Sequence, residues 1–352
     1  MRISDRFARR MDSAPRTGRR GIGRGKLLIG GAVAVAAASA LAVYTLAGAG
    51  PAAALASPAT ARPSAAAAGG YQFVTIGSHK DRTFNQILGI NNNGRIAAYF
   101  GSGAAGHPNR GYTITAPYAQ GDIKDENFPG AVQTQSIGLN DNGVQVGFYV
   151  TGTGANLGWY FNGHFHKVEF PTGNNAKPVL DQLLGVNDHN IAVGFYNNAG
   201  GLARGYEYNL MSNRYSMVTK PGAPGGVKAP SLTAAGINNR GDVAGFYTTT
   251  GGTVDGFLKV GGRFTTIAVP GATMTQAFGV NDNDTVVGTY TVAGGATHGF
   301  IWHVGGHVTL NVDDPNDPGT TVLNGINDEG DIVGFYNSSG TTADGLVAFP
   351  AF

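Results

Sequence analysis

Gly-Ile-Asn-Asp-Glu-Gly-Asp-Ile-Val-Gly-Phe-Tyr, residues 325–336, decides the fold, because five variants of it come earlier in the chain. Each variant opens Gly-aliphatic-Asn-(Asp/Asn), passes a short turn and runs into an aliphatic-rich strand. The copies begin at Gly89, Gly138, Gly185, Gly236, Gly279 and Gly325, between 43 and 51 residues apart. A regular period of this length marks a repeat architecture, in which most recurring residues serve the scaffold.

The copy from Gln276 to Val312 predicts four strands. Ala277–Val280 is the first, and Asn281-Asn283 with its flanking aspartates is a turn, since Asn and Asp side chains bond the backbone two residues on. Thr285–Tyr290, Gly299–Val304 and His307–Val312 follow as strands. In four copies the turn ends in Gly (Gly94, Gly143, Gly241, Gly330), which adopts positive φ without a Cβ clash. No segment has a helical stripe, and 57 glycines in 352 residues are over twice the usual share. Four short strands per period match a blade of a β-propeller. Phe73–Ile76 reads as a fourth strand ahead of the first copy, whereas the last copy stops after its third strand at 345–349. The expected fold is therefore all-β: a six-bladed β-propeller of four-stranded blades over 71–352, closed by the N-terminal strand completing the last blade. Closure removes open strand edges. The fourth strand of the first copy, near Ile123 to Phe128, has the weakest pattern.

An aromatic pair holds constant register: Tyr99-Phe100, Phe148-Tyr149, Phe195-Tyr196, Phe246-Tyr247 and Phe335-Tyr336, with Thr289-Tyr290 departing. Adjacent strand residues face opposite ways, so each pair is expected to fill both sides of its blade.

The first 70 residues differ. They hold ten of the 24 basic residues and two of the 22 acidic ones, leaving fourteen basic and twenty acidic for the remainder. A basic run from Arg2 to Lys26, an uncharged run from Leu27 to Gly50 and Ala54-Leu55-Ala56 follow the order of an export signal. The uncharged run is also long enough for a retained membrane anchor. Residues 1–56 are thus an export signal or anchor, and 57–70 an Ala/Pro/Ser linker. Either way the repeats are expected outside the cytoplasmic membrane. The absence of cysteine excludes disulfides and thiolate metal sites. The acidic balance of the repeats argues against a nucleic-acid partner.

The stretch at 325–336, together with Ala296-Thr297-His298-Gly299-Phe300 and Val269-Pro270-Gly271-Ala272, resembles the HAF family of bacterial extracellular repeats over residues 71–352. The chain departs in the His-containing step, which elsewhere reads Arg110-Gly111-Tyr112, Leu157-Gly158-Trp159, Arg204-Gly205-Tyr206, Asp255-Gly256-Phe257 and Asp344-Gly345-Leu346. The resemblance implies export and a propeller-like fold, and no particular activity.

The first-to-second turn keeps one length in every copy while other connections vary, so a site is expected on the variable face. Three residues before the repeat Gly stand Gln86, Gln135, Gln182 and Gln276, with Thr233 and Val322 in the other copies. On a ring these amides converge at a channel mouth and suit a neutral, hydroxyl-rich ligand; alternatively they satisfy backbone groups of the next blade. An enzyme would draw on loop charges: His79 with Lys80, Asp81 and Arg82; His107 and Arg110; Lys177 and Asp181; Asp313, Asp314 and Asp317. Of these His79, Asp181 and Asp314 are the catalytic candidates. Asp313-Asp314-Pro315-Asn316-Asp317 offers oxygens of the kind Ca²⁺ takes but lacks EF-hand spacing. His164, His166, His189, His303 and His307 map to the opposite face and give at most three ligands together, so neither metal nor cofactor is assigned. No nucleophile elbow, zinc-protease helix motif or phosphate loop is present. The sequence thus supports an exported binding or scaffold module for a neutral glycan or cell-wall polymer, or alternatively an extracellular hydrolase or lyase acting on a polysaccharide.

Overall fold

Each copy builds an antiparallel four-stranded sheet, in a computed structural model that describes residues 70–172, 180–220, 231–339 and 342–351. The 1–56 signal or anchor and the linker up to residue 69 lie outside the described residues, as does Lys177. Among the described residues the one helical segment is a single 3-10 turn, Gln120–Asp122, and no helix is long and apolar enough to cross a membrane. The fifth copy folds as Ala272–Val280, Thr285–Val292, Thr297–His303 and His307–Leu310, the four strands its alternation predicted. In the first copy the fourth strand is only Lys124–Asp125, pairing with Tyr112 and Thr113.

The N-terminal strand Tyr71–Ile76 joins the last sheet. It lies antiparallel to Thr342–Pro350, with Phe73 opposite Ala348 and Ile76 opposite Gly345. That sheet runs from Tyr71–Ile76 through Thr342–Pro350 and Ile332–Ser339 to Val322–Ile326. Single parallel bridges stitch neighbouring sheets: Asn156 to Leu180, Val254 to Met274, Thr297 to Thr320, and Phe84 to Ala343. The Val254 bridge makes the fourth and fifth sheets one eight-stranded sheet.

The repeat Gly is explained by how closely the inner strands approach. A Cβ on Gly89 would stand 2.5 Å from the Ile137 carbonyl oxygen, and one on Gly325 would stand 3.0 Å from that of Leu88. Any side chain here forces two backbones apart.

The aromatic pair divides as its alternation requires. Its first members, Tyr99, Phe148, Phe195, Phe246 and Phe335, form one buried cluster with Leu88, Ile137, Leu184, Ala235 and Phe278. This cluster draws on every copy, so it fills the centre. Its second members pack outward between sheets: Tyr149 with Trp159, Tyr290 with Phe300, Tyr336 with Phe73. The sixth sheet packs on the first through Ile76, Val333 and Val347 against Ile87, Ile96 and Tyr112. Each fully buried aromatic of this kind contributes about 2–3 kcal/mol of transfer free energy.

Candidate functional site

The constant turns carry two cycles of hydrogen bonds. The first side chain of each turn is Asn. Its Oδ1 caps its own turn, as Asn187 does by accepting from the His189 and Ile191 amides at 3.1 and 3.0 Å. Its Nδ2 crosses to the next copy: Asn91 donates to the Asn140 carbonyl, Asn140 to Asn187, Asn187 to Asn238, Asn238 to Asn281 and Asn281 to Asn327, all at 2.9–3.0 Å. Asn327 donates back to the Asn91 carbonyl at 3.5 Å.

The second residue of each turn repeats the pattern one layer out. The backbone N–H of Asn92 donates to the Asp141 carboxylate, Asp141 to Asp188, Asp188 to the Asn239 amide oxygen, Asn239 to Asp282, Asp282 to Asp328, and Asp328 to Asn92, at 2.7–2.8 Å. Amides occupy the first and fourth places, carboxylates the other four. Asn92 Nδ2 donates to both Asp141 Oδ2 and Asp328 Oδ2, and Asn239 Nδ2 to both Asp188 Oδ2 and Asp282 Oδ2. These two layers, with the aliphatic residue before each Asn, line a shallow depression open to solvent.

This accounting sets the chemistry of the depression. The N–H groups of both Asn92 and Asn239 are already engaged, whereas each carboxylate Oδ2 has accepted one bond and keeps acceptor capacity. Among the described residues no ion pair reaches Asp141, Asp188, Asp282 or Asp328. A ligand seated here must be rich in donors. Read locally, Asn-Asp is turn chemistry alone. The missed signal is that an Asx turn needs only its first side chain, yet the second is Asn or Asp in all six copies.

The glutamines lie elsewhere and do not form an open ring. Gln86, Gln135 and Gln182 stand opposite Tyr99, Phe148 and Phe195, beside the central apolar cluster, and Gln276 stands opposite Thr289. Gln86, Gln182 and Gln276 are buried and Gln135 is half-buried. Gln86 accepts from the Tyr99 hydroxyl at 2.5 Å, Gln135 donates to Asn109 at 2.8 Å and Gln182 donates to Asn156 at 3.3 Å. Their amides turn into the protein because the first aromatics and the strand-preceding residues Phe84 and Leu180 fill the centre on this side. The depression lies on the constant-turn face, not on the variable face where a site was expected, and among the described residues the variable loops surround a packed centre.

Asp181 is a structural pin. It is fully buried, accepts from the Tyr206 hydroxyl at 2.5 Å and from the Phe170 amide at 2.5 Å. Thr134, Thr275 and Thr321 hold the same place in their copies and accept from the amides of Phe128, Val269 and Asp314. An Asn or Asp appears here only where the third-strand ring carries a hydroxyl: Asn85 accepts from Tyr112 as Asp181 does from Tyr206. Burial pushes the Asp181 carboxyl up to about 7, Glu169 adding to it while the Tyr206 and Phe170 bonds pull the other way.

Asp314 is also fully buried. His79 is exposed, its amide and Nδ1 meeting Gln120 Oε1 at 2.7 and 3.1 Å. His79 and Asp314 sit in two different connections and Asp181 opens the strand Asp181–Val186, and no hydrogen bond or ion pair between described residues joins any two of them. Two imidazole–carboxylate pairs do form, His107 with Asp81 at 3.2 Å and His298 with Asp313 at 2.7 Å. On the opposite face His303 bonds Thr285 Oγ1 at 3.1 Å and stacks on His307, while His166 stacks on Tyr160. Among the described residues no three His, Asp or Glu side chains converge to hold a metal ion.

No family model and no curated protein matches the chain. Among solved structures it is similar to TolB from Acinetobacter baumannii at 10% identity and TM-score 0.46, over 78% of this chain and 59% of that one. It is similar to a gluconolactonase from Xanthomonas campestris at 12% identity and TM-score 0.47, over 87% and 99%. It is likewise similar to the lectin of Aleuria aurantia, a six-bladed β-propeller that recognises fucose, at 12% and 0.46, over 76% and 96%. Likenesses this distant carry no argument about activity.

Proposed function

We propose that the chain is an exported six-bladed β-propeller, its ring closed by Tyr71–Ile76, that works as a binding module for a hydroxyl-rich glycan or cell-wall polymer. The ligand sits in the axial depression at the constant-turn face. The carrying observation is the imbalance there: four carboxylates retain acceptor capacity while the neighbouring Asn92 and Asn239 amide donors are already spent on those same carboxylates. Sugar hydroxyls supply the donors such a surface lacks, and a carboxylate accepts them more strongly than a neutral group does. The two hydrogen-bonded cycles support closure, since each returns from the sixth copy to the first.

The test follows from the chain's own variation. Asn already replaces Asp at positions 92 and 239 and keeps the bond from the preceding N–H. Converting Asp141, Asp188, Asp282 and Asp328 to Asn together therefore keeps the backbone bonds and removes the charge, at the loss of the Oδ2 acceptors that Asn92 and Asn239 Nδ2 use, so circular dichroism must show the variant folded. Wild-type protein should pellet saturably with one of a panel of insoluble cell-wall, chitin and cellulose polymers, without releasing sugar. The fourfold variant should bind roughly tenfold more weakly or worse, given about 1.5–3 kcal/mol for a hydrogen bond to a charged group. Equal affinity would remove the depression as the site, and sugar release would replace the binding module with an enzyme.

A further inference from the structure

The connections that lead into the inner strands share one architecture, and the sixth copy breaks it. In those leading to the second through fifth copies, the residue before the proline packs against the second residue of the following strand pair. Phe128 stacks on Tyr149 at 3.9 Å and Phe170 on Tyr196 at 4.0 Å. Lys220 Nζ lies 4.4 Å over the Tyr247 ring, and Val269 joins Tyr290 in one apolar cluster. Asp314 takes this place beside Tyr336, as the shared anchor of its amide to Thr321 confirms.

A carboxylate in an aromatic's slot is poorly served. Asp314 Oδ1 accepts from the amide and Nδ2 of Asn316 at 2.9 and 2.8 Å. Oδ2 is buried and has no hydrogen-bond partner. Asp317 and Asp344 add negative charge nearby, and no ion pair between described residues involves any of the three. A buried anionic oxygen left unpaired is costly, so the folded state gains by taking up positive charge there. The surroundings are oxygen-rich: Asn316 Nδ2 reaches Thr75 Oγ1 at 3.4 Å, which meets the Tyr336 hydroxyl at 3.1 Å.

We propose that this joint between the fifth and sixth copies binds a hard divalent cation of the Ca²⁺ class, with Asp314 Oδ2 as its anchoring ligand. Three acidic groups do not converge on one point, so the ion takes one or two carboxylates and completes its shell with hydroxyl, carbonyl and water oxygens. Ca²⁺ accepts such an irregular oxygen set, whereas Mg²⁺ demands near-ideal octahedral geometry. The His298 imidazole is already bonded through Nδ1 to Asp313, the residue before Asp314, and the partners seen around Asp314 offer oxygen. Because Thr75 belongs to Tyr71–Ile76, the ion also secures the N-terminal strand to the sixth copy.

Thermal unfolding of the full chain tests this in excess EDTA, in calcium and in magnesium, at matched ionic strength and constant pH. The wild-type midpoint should rise by several degrees with calcium, saturating on the order of 10⁻⁴–10⁻³ M as extracellular sites do, and respond less to magnesium. Asp314→Phe installs the residue two other copies use; it should raise the midpoint in EDTA and abolish the calcium response. Asp314→Asn keeps the Oδ1 acceptor and should abolish the response even if the Phe variant fails to fold. A wild-type midpoint indifferent to calcium that rises only on acidification would overturn the proposal in favour of a proton. A calcium response that survives Asp314→Asn would overturn it too, by placing the ion elsewhere.

Discussion

The constant-turn face and the variable-loop face are built by opposite rules. On the first, all six copies contribute an Asn followed by an Asn or Asp to bonds that cross from copy to copy. On the second, each connection solves its own packing problem: Phe128 stacks, Lys220 caps a ring, Asp181 pins an amide and Asp314 stands partly unpaired. The difference teaches that uniformity marks where copies depend on one another, and divergence marks where a single copy can change alone. It also inverts a common expectation, because here the uniform face holds the concavity.

The most disruptive way to break the comparison is at an inner strand. Gly89→Val places its Cβ 2.5 Å from the Ile137 carbonyl and should leave no cooperative unfolding transition by circular dichroism. Gly152→Ala, in a variable loop with nothing within 4 Å, should change stability by less than about 0.5 kcal/mol.

The next effect is a pH dependence carried by one copy. The folded Asp181 carboxyl titrates near 7 against an ordinary 3.8, so the folded state binds the proton more tightly than the unfolded chain. Its stabilising contribution is full below about 4, declines as pH rises and is gone above about 7, amounting to a few kcal/mol. Asp181→Thr adopts the solution of three other copies and should flatten that slope in urea titrations between about pH 4 and about pH 7, where the same linkage makes the curve steep. An unchanged slope would assign the pH dependence to another group.

A matched pair of asparagines sharpens the contrast. Asn187 caps two amides and also bonds the next copy, whereas Asn198 caps the Gly200 and Leu202 amides in an exposed loop and bonds no other copy. Asn187→Ala should cost about 2–3 kcal/mol and Asn198→Ala about 1 kcal/mol. Equal losses would show that the cross-copy bond adds nothing.

A smaller effect on stability should come from Asp282→Asn alone. Asn repeats the backbone acceptor seen at 92 and 239 and loses only the Oδ2 bond from Asn239 Nδ2, so the unfolding free energy should fall by about 1 kcal/mol while ligand affinity falls.

What was legible in the sequence was local. Alternation and the aromatic pair located Thr285–Val292 and its counterparts, and the surplus strand Tyr71–Ile76 was matched to the copy short of one. The turn glycines take positive φ as read, Gly94 at 67°, and Asp284 adopts the same geometry at 55°. What was not legible depends on which copies meet. Nothing local in Asn91 shows that its Nδ2 reaches residue 140, and nothing local in Gln182 shows that it faces a packed centre. Asp181 could be read correctly only by pairing it with Tyr206, 25 residues on, and then comparing Asn85 with Tyr112.

The two ends of the described chain meet: the Ala351 amide donates to the Gly70 carbonyl at 2.7 Å, beside the Tyr71–Pro350 rung. Tension applied ahead of Gly70 against the chain's other end therefore peels this ladder from its first rung, one pair at a time, instead of shearing all rungs together. The remaining sheets are continuous from strand to strand through their turns and share no such seam. Under load this joint is the mechanical fuse of the molecule, and whatever secures Thr75 to its neighbours sets the force at which it opens.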